Sequence, residues 1–394
     1  MLSFIIIGCL TTNPWAPVFV AASIALSPNL VFHASVTYYE TLSLLWVFFA
    51  VLFFSFLVNG RSRTGLWLVL FWFSAIAAVS CHERMAGYFV LSVPFSLLSC
   101  YTSYRNVNNY SIRKTCGMLC LYLALSVAFM LLVNNIFFAG YTPFMKYFKF
   151  KSSAIIMVPE RLQSIWGFTR NQIGCQGHTV RLVFWNLAGF TFVLAVLGMW
   201  NIWKTRNRTS MSLLLFPIGY QCLSVGLVGW TSGRYILGQS IFATILAGLG
   251  IEYLFSHSAS QWYKNMARCS VAICLVSQLC LVMLVKIADT FFHPRRVVEE
   301  IVLQNPGKRI GMSGFEISNA SWCNMHNVDC VVIGGNHKDC SGVDILVTPL
   351  NGNRCVRSPG GRVVVRKPPS WLASLVRKKC YLYSDGPEGI RIER

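Results

Sequence analysis

Long apolar runs separated by short polar turns dominate the first three quarters of the chain. A helix needs about 20 apolar residues to cross the hydrocarbon core of a bilayer. We therefore interpret these runs as membrane-spanning helices, with the run at 2–11 as a partial helix. The predicted spans are 17–35, 41–59, 65–81, 87–101, 116–139, 183–203, 211–230, 236–255 and 269–288.

The polar turns between the runs predict the orientation of the spans. Four basic loops, at 60–65, 103–114, 204–210 and 261–268, fall on the same side if every run crosses once. Lys and Arg are enriched in cytoplasmic loops, so this side is interpreted as cytoplasmic. The opposite, outer side then holds 36–40, 82–86, 140–182, 231–235 and everything after Asp289.

The pattern changes after Asp289. Charged residues, Gly, Pro and Asn become frequent, and four short apolar runs stand between turns: "KRIGMSG", "DCVVIGG", "DILVTP" and "GRVVVRK". Such alternation predicts strands. The expected fold class is an all-α polytopic membrane domain at 1–288, of nine to ten helices and with the outer loop 140–182. A small α/β domain at 289–394 follows it on the outer face.

Composition supports a membrane protein and narrows the list of partners. Of the 394 residues, 55% are hydrophobic and only 12% are charged, and the mean hydropathy is +0.53. These values exclude an ordinary soluble globular protein. The net charge of +20 suits loops beside anionic membrane lipids. The basic residues form no single stripe, so no nucleic-acid partner is expected.

Acidic residues are rare before Asp289. Only Glu40, Glu83, Glu160 and Glu252 occur there, and the first three fall on the predicted outer side. A charge at membrane depth costs about 2.5–3.5 kcal/mol on insertion scales, so such groups usually face a cavity or a partner. The outer boundary is therefore where we expect chemistry.

The stretch "SVTYYETLSLLW" holds the first acidic residue at the start of a predicted helix. Glu40 would favour that helix start by about 0.3–1 kcal/mol through the helix dipole. The alternative is a general base or a metal ligand that faces a cavity, with Tyr38 and Tyr39 beside it. The sequence leaves both interpretations open.

Two further outer turns combine cations with polar residues. "CHERM" contains His82, Glu83 and Arg84, and "SGRYIL" contains Arg234 and Tyr235. The first turn is either a loop among lipid headgroups or a phosphate contact, since a guanidinium matches phosphate oxygens. Arg234 is either an interfacial anchor or a second phosphate ligand.

The outer loop 140–182 is both basic and aromatic. It carries Lys146 and Lys149 among five other basic or histidine side chains, interleaved with Tyr, Phe and Trp. It could form an amphipathic helix on the membrane surface. The other interpretation is a mobile loop that contacts phosphate and sugar.

In their order along the chain, these motifs resemble the GT-C membrane glycosyltransferases. The closest resemblance is to the protein O-mannosyltransferase and lipid A aminoarabinose transferase group, over most of 15–290. The resemblance implies transfer of a sugar from a polyprenyl or dolichyl phosphate carrier, such as dolichyl phosphate mannose, to an acceptor on the lumenal or periplasmic side. It implies a catalytic role for Glu40, donor binding by Arg234, Tyr235, Arg84, His82, Lys146 and Lys149, and an acceptor cavity with Tyr38, Tyr39 and Glu83.

The chain departs from the GT-C pattern at one point. The family carries its principal catalytic acid, usually Asp, in the first outer loop, whereas no Asp occurs here before Asp289. We expect either a missing first span and loop, or first segments of another origin, or a catalytically inactive relative. A membrane transporter or flippase for a lipid-linked or anionic substrate is the alternative from another class, but charges clustered at one face favour the enzyme.

The resemblance also bears on cofactors and location. It implies no certain cofactor and leaves a divalent metal open, because relatives differ in metal dependence. The expected location is an integral, multi-pass position in a membrane. That membrane would be the endoplasmic reticulum in a eukaryote and the inner membrane in a bacterium.

Overall fold

The structure of the protein, a computed structural model, forms two compact units, Met1–Leu279 and Cys280–Arg394. It describes residues 2–34, 39–59, 63–82, 85–108, 179–222, 236–256, 261–292, 294–313, 330–333, 343–349, 363–366, 369–373 and 390–393, with scattered positions between 117 and 177. Some side chains within these ranges, including those of Tyr39 and Glu40, are outside the description. The division lies inside a long helix, and the domain boundary at 288/289 stays a prediction.

The first unit is helical throughout its described residues. Its helices are α1 (Leu2–Gly8), α2 (Trp15–Ala25), α3 (Pro28–Ala34), α4 (Tyr39–Val58), α5 (Thr64–Cys81), α6 (Ala86–Asn108), α7 (Thr179–Asn186), α8 (Phe190–Thr205), α9 (Arg208–Leu213), α10 (Leu215–Tyr220) and α11 (Leu237–Ser256). The next helix, α12 (Gln261–Phe292), runs from the first unit into the second.

Among the described residues, three helices are long and apolar enough to cross a membrane. They are Thr64–Cys81, Leu237–Ser256 and Lys264–Ile287. The pair α7 and α8 makes a fourth if it is one span, although the two helices meet at an angle of 114°. The described residues therefore support a membrane protein, and the nine predicted spans stay a prediction, of which 116–139 lies almost entirely outside the description.

Several predicted spans are interrupted, and the interruptions have local causes. The run 17–35 breaks between α2 and α3, where Pro28 disfavours helical backbone in the residue before it. The run 183–203 breaks where Ala188 and Gly189 adopt φ of 54° and 74°. The run 211–230 breaks at Leu214, where Pro217 lacks the N–H that would continue the helix.

Buried aromatic side chains fill the centre of the first unit. Phe54 packs edge-on against Phe216 with ring centroids 5.2 Å apart, and Phe48 lies 5.1 Å from Phe242. The four rings come from α4, α10 and α11 and are almost completely buried. Burial of each ring stabilises the fold by about 1.5–3 kcal/mol relative to exposure in water.

Polar contacts define one end of the helix bundle, which we call the Glu252 end. Thr209 donates a short hydrogen bond to Asn59, which joins the chain after α4 to the start of α9. Lys204 lies 5.6 Å from the ring centroid of Tyr253, so α8 and α11 end side by side. The sequence placed the loops 60–65 and 204–210 on one side, and the Asn59 contact agrees with that prediction.

The second unit contains a five-stranded mixed sheet covered by a helix. The strands are β1 (Ile310–Ser313), β2 (Cys330–Ile333), β3 (Ile345–Pro349), β4 (Val363–Arg366) and β5 (Ile390–Glu393), in the order β2-β1-β3-β5-β4. β1 is parallel to β2 and β3, whereas β5 is antiparallel to β3 and β4. Helices α13 (Pro294–Gln304) and α14 (Ser370–Ala373) complete the described elements.

The core of this sheet has a clear sequence origin. Val297 and Ile301, one turn apart on α13, join Ile310, Ile345 and Ile392 in one buried cluster. The four apolar runs that the sequence predicted as strands are β1 to β4. The prediction omitted β5, whose sequence "IRIE" alternates over only four residues and contains two charged side chains.

Candidate functional site

The N-terminal parts of α4, α6 and α11 meet at one point of the first unit. A Cβ atom on Gly238 would collide with the hydroxyl oxygen of Tyr88 and would lie 2.8 Å from Cδ2 of Leu44. Glycine is therefore required at 238 for this close approach of α11 to α6 and α4. We call this place, opposite the Glu252 end, the Tyr88 end.

Two stacked tyrosines occupy the Tyr88 end. The rings of Tyr88 on α6 and Tyr220 on α10 have centroids 4.2 Å apart and planes inclined by 21°, and both residues are buried. The hydroxyl oxygen of Tyr88 is buried without a hydrogen-bond partner among the described residues. A buried hydroxyl without a hydrogen-bond partner lowers the stability of the fold by about 1–3 kcal/mol.

A glutamine on α11 links this helix to α10 by hydrogen bonds. The side-chain amide of Gln239 donates to the carbonyl oxygen of Pro217 at 3.0 Å and to Oε1 of Gln221 at 3.1 Å. Pro217 lies within α10, and Gln221 is the residue that follows this helix. The two bonds position α11 against α10 within an otherwise apolar region.

His82 is the predicted site residue whose side chain the structure describes. It ends α5 in an extended conformation, its N–H donates to the Ala78 carbonyl at 3.0 Å, and its carbonyl accepts from Met85 at 3.0 Å. The residue is 4% exposed, and Met85 beside it belongs to the same core cluster as Tyr88. His82 therefore lies buried in the connection between α5 and α6, and its predicted contact with the donor stays a prediction.

The other predicted site residues stay predictions. Glu40 is the second residue of α4, as expected for a helix-start carboxylate, but its side chain and that of Tyr39 are outside the described set. The remaining predicted site residues lie outside the described residues altogether: Tyr38, Glu83, Arg84, Lys146, Lys149, Arg234 and Tyr235.

Glu252 has a structural partner that the sequence did not indicate. Its carboxylate accepts hydrogen bonds from the N–H of Thr12 at 3.3 Å, from the Thr12 hydroxyl at 2.7 Å and from the N–H of Asn13 at 2.9 Å. These donors precede the first turn of α2, which starts at Trp15. A carboxylate that accepts three hydrogen bonds at a helix start stabilises that helix. We therefore assign Glu252 a structural role.

Reasoning from sequence missed Tyr88, Tyr220 and Gln239. The available signal was a polar atom inside an apolar run: two phenols and an amide that would each need a partner in a bilayer. Spacing along the chain does not reveal that α6, α10 and α11 bring these side chains together.

The described residues contain no group of three or more His, Cys, Asp or Glu side chains that could hold a metal ion. Most of the predicted donor and acceptor residues fall outside that search, so the divalent metal stays open.

No protein-family model, curated protein or solved structure matches this chain. The resemblance to GT-C glycosyltransferases therefore rests on the sequence motifs alone, and the function is argued from residues and their geometry.

Proposed function

We propose that the protein is an integral, multi-pass membrane glycosyltransferase that uses a polyprenyl or dolichyl phosphate sugar. One observation carries the proposal: Leu44, Tyr88 and Gly238 bring the N-terminal parts of α4, α6 and α11 together. Three motifs resemble the GT-C pattern; α4 begins within the first of them, and α6 and α11 follow the other two. Those motifs are Glu40 with its tyrosines, the His82 turn, and the Arg234-Tyr235 pair.

The electrostatics of helix starts support an anionic ligand in this place. The N-terminus of a helix carries roughly half a positive charge and unpaired backbone N–H groups, which favour phosphate. Three such ends at one location would reinforce the cationic side chains that the sequence places just before α6 and α11. A sugar linked to a lipid phosphate presents this kind of charge at a membrane boundary.

The proposed chemistry is an inverting transfer. A carboxylate accepts the proton of the acceptor hydroxyl, whose oxygen forms a bond to the anomeric carbon. The bond from that carbon to the phosphate oxygen breaks, and the electron pair leaves with the lipid phosphate. Arg234 and Arg84 would stabilise the leaving phosphate, and Glu40 would act as the base or hold the acceptor.

The test is a donor-consumption assay on the full chain in lipid vesicles. Purified protein is supplied with radiolabelled dolichyl phosphate mannose or an undecaprenyl phosphate sugar, and free lipid phosphate is measured together with the labelled sugar. We expect Glu40→Gln and Arg234→Ala each to lower the rate by about 10²-fold or more, as loss of a general base or a charge-stabilising group does. The matched control is Arg268→Ala, an exposed arginine on α12.

Two outcomes would contradict the proposal. The first is label that crosses the vesicle membrane with its phosphate bond intact, which indicates transport. The second is a wild-type rate in both Glu40→Gln and Arg234→Ala.

A further inference from the structure

Three exposed arginines lie beside two helix connections at the Glu252 end. Arg63 precedes α5, Arg206 follows α8, and Arg208 is the first residue of α9. A hydrogen bond between Asn59 and Thr209 links the two connections. Asn59 lies four residues before Arg63, and Thr209 directly follows Arg208. The three arginines are exposed, and among the described residues none has an acidic partner.

The local backbone holds this surface in a defined arrangement. The side-chain oxygen of Asn207 accepts hydrogen bonds from the N–H groups of Thr209 at 3.0 Å and Ser210 at 3.3 Å, which fixes the start of α9. Arg208 is the first residue of that helix. Arg208 is thus attached to a helix start that the Asn207 side chain fixes.

Two of these arginines occupy positions that favour glycine. Arg63 has φ 70° and ψ 39°, and Arg206 has φ 49° and ψ 31°, both in the left-handed region. Only Gly, and sometimes Asn or Asp, adopts this conformation at little cost. Glycine would therefore suit the backbone at both positions better than arginine does.

The charge at this end is unbalanced. In the described part of the first unit the carboxylates are Glu40, which starts α4 at the other end, and Glu252. The Glu252 carboxylate already accepts hydrogen bonds from Thr12 and Asn13. The described carboxylates of the first unit therefore do not neutralise Arg63, Arg206 and Arg208, whose charge favours an anionic ligand.

An apolar surface lies beside these charges. Trp200 and Trp203 are one turn apart on the last turns of α8, immediately before Arg206, and are 57% and 73% exposed. Tryptophan is enriched at the level of lipid headgroups, where the ring is partly in the acyl region. A ligand that suits both parts has an anionic phosphate and a hydrocarbon chain.

We infer that Arg63, Arg206 and Arg208 form a binding site for the phosphate of an anionic phospholipid, whose acyl chains lie along Trp200 and Trp203. The forked guanidinium group of arginine suits phosphate oxygens. The inference depends on insertion of the chain in a membrane and is independent of any transfer reaction at the Tyr88 end.

The experiment is a lipid-retention measurement on the full chain. Protein is reconstituted in nanodiscs of phosphatidylcholine and phosphatidylglycerol, extracted in neutral detergent, and examined by native mass spectrometry for retained lipid. We expect wild type to retain phosphatidylglycerol preferentially and Arg206→Gln/Arg208→Gln to lower that preference about tenfold or more. The matched control, Lys264→Gln/Arg268→Gln, removes two cations from the first part of α12 and should retain the preference.

Two further measurements distinguish lipid binding from loss of the fold and from binding of free phosphate. Arg206→Gly removes the side chain and leaves a residue that suits the left-handed backbone, so it should lower lipid retention while the thermal midpoint in detergent stays at or above wild type. Inorganic phosphate at the same concentration should not displace the lipid. The inference is overturned if wild type shows no preference, if both double variants lose it equally, or if inorganic phosphate displaces phosphatidylglycerol.

Discussion

Gly198 and Gly250 pack backbone against backbone where α8 crosses α11. A Cβ atom on Gly198 would collide with the carbonyl oxygen of Leu246 and lie 3.0 Å from the backbone nitrogen of Gly250. A Cβ atom on Gly250 would collide with the carbonyl oxygen of Leu194 in the same way. Small residues permit this close approach, which is typical of helix pairs in membranes.

Substitution of either glycine by alanine should destabilise the first unit. The added methyl group would meet backbone atoms, which cannot move aside as a flexible side chain can, so the helices must separate. We expect Gly198→Ala and Gly250→Ala each to lower the free energy of unfolding by about 2–3 kcal/mol. The measurement is the thermal midpoint in a neutral detergent.

Gly8 is the matched control for these variants. A Cβ atom on Gly8, at the end of α1, meets nothing within 4 Å. Gly8→Ala should leave the thermal midpoint unchanged or raise it, because alanine has the higher helix propensity. Equal effects at 8, 198 and 250 would contradict the close crossing of α8 and α11.

A second prediction concerns the carboxylate of Glu252 and the start of α2. Glu252→Gln keeps the size of the side chain but replaces one accepting oxygen by an amide donor, which then faces the Thr12 and Asn13 donors. We expect a loss of about 1–2 kcal/mol in the free energy of unfolding.

A double-mutant cycle with Thr12→Val tests that contact directly. The single variant Thr12→Val should cost about 0.5–1.5 kcal/mol, since it removes one hydrogen bond. The same substitution should cost less in the Glu252→Gln background, because the two residues interact. Strictly additive losses would show that the hydrogen bond contributes nothing.

The sequence predicted those parts of the fold that depend on local pattern. The limits of α4, α5 and α11 follow the apolar runs closely, and β1 to β4 coincide with the predicted strands. The breaks inside 17–35 and 183–203 were missed, although Pro28 and Gly189 stand at them. Composition averaged over 20 residues conceals a single residue that interrupts hydrogen bonding, so a run of sufficient length was interpreted as one helix.

The candidate site was less predictable, for a different physical reason. The motifs of Glu40 and His82 predict helix ends. The structure agrees, since α4 begins next to Glu40 and α5 ends next to His82. Tyr88, Tyr220 and Gln239 come together only through packing of α6, α10 and α11, which apolar periodicity does not specify. Glu252 was placed near the correct helix end, but its partner lies 240 residues earlier at Thr12.

A third prediction tests the contact between Tyr88 and Gly238. Gly238→Ala should destabilise the first unit by about 1–3 kcal/mol, since its methyl group collides with the Tyr88 hydroxyl oxygen. Tyr88→Phe should be neutral or stabilising by up to about 1 kcal/mol, because it removes a buried hydroxyl without a partner among the described residues.

The combined variant Tyr88→Phe/Gly238→Ala gives the decisive value. Phenylalanine makes room for the methyl group, so the double variant should be more stable than the sum of the single effects by about 1 kcal/mol. Thermal midpoints of the four proteins supply the cycle. If the two effects simply add, the hydroxyl of Tyr88 does not occupy the space above Gly238.

A fourth prediction concerns the left-handed backbone of Arg206. Its N–H closes the last turn of α8 by donating to the Ile202 carbonyl at 3.0 Å, as glycine commonly does at the end of a helix. Arg206→Gly should therefore raise the free energy of unfolding by about 1 kcal/mol. Arg208→Gly, at a helical position nearby, should lower it by a few tenths of a kcal/mol. A lower thermal midpoint for Arg206→Gly would contradict the left-handed assignment.

The last prediction separates the two faces of α13 in the second unit. Ile301 is 1% exposed and packs in the cluster with Ile310 and Ile345, whereas Leu303, two residues later, is 82% exposed. Ile301→Ala should destabilise the sheet by about 2–4 kcal/mol through loss of burial and a residual cavity. Leu303→Ala removes a side chain of equal size from solvent and should change stability by less than about 0.5 kcal/mol.

Hydrogen exchange of the β1 and β3 amides in the full chain measures both effects, because local stability sets their protection. Faster exchange in Ile301→Ala alone supports the packing of α13 on the sheet, and equal exchange in the two variants contradicts it.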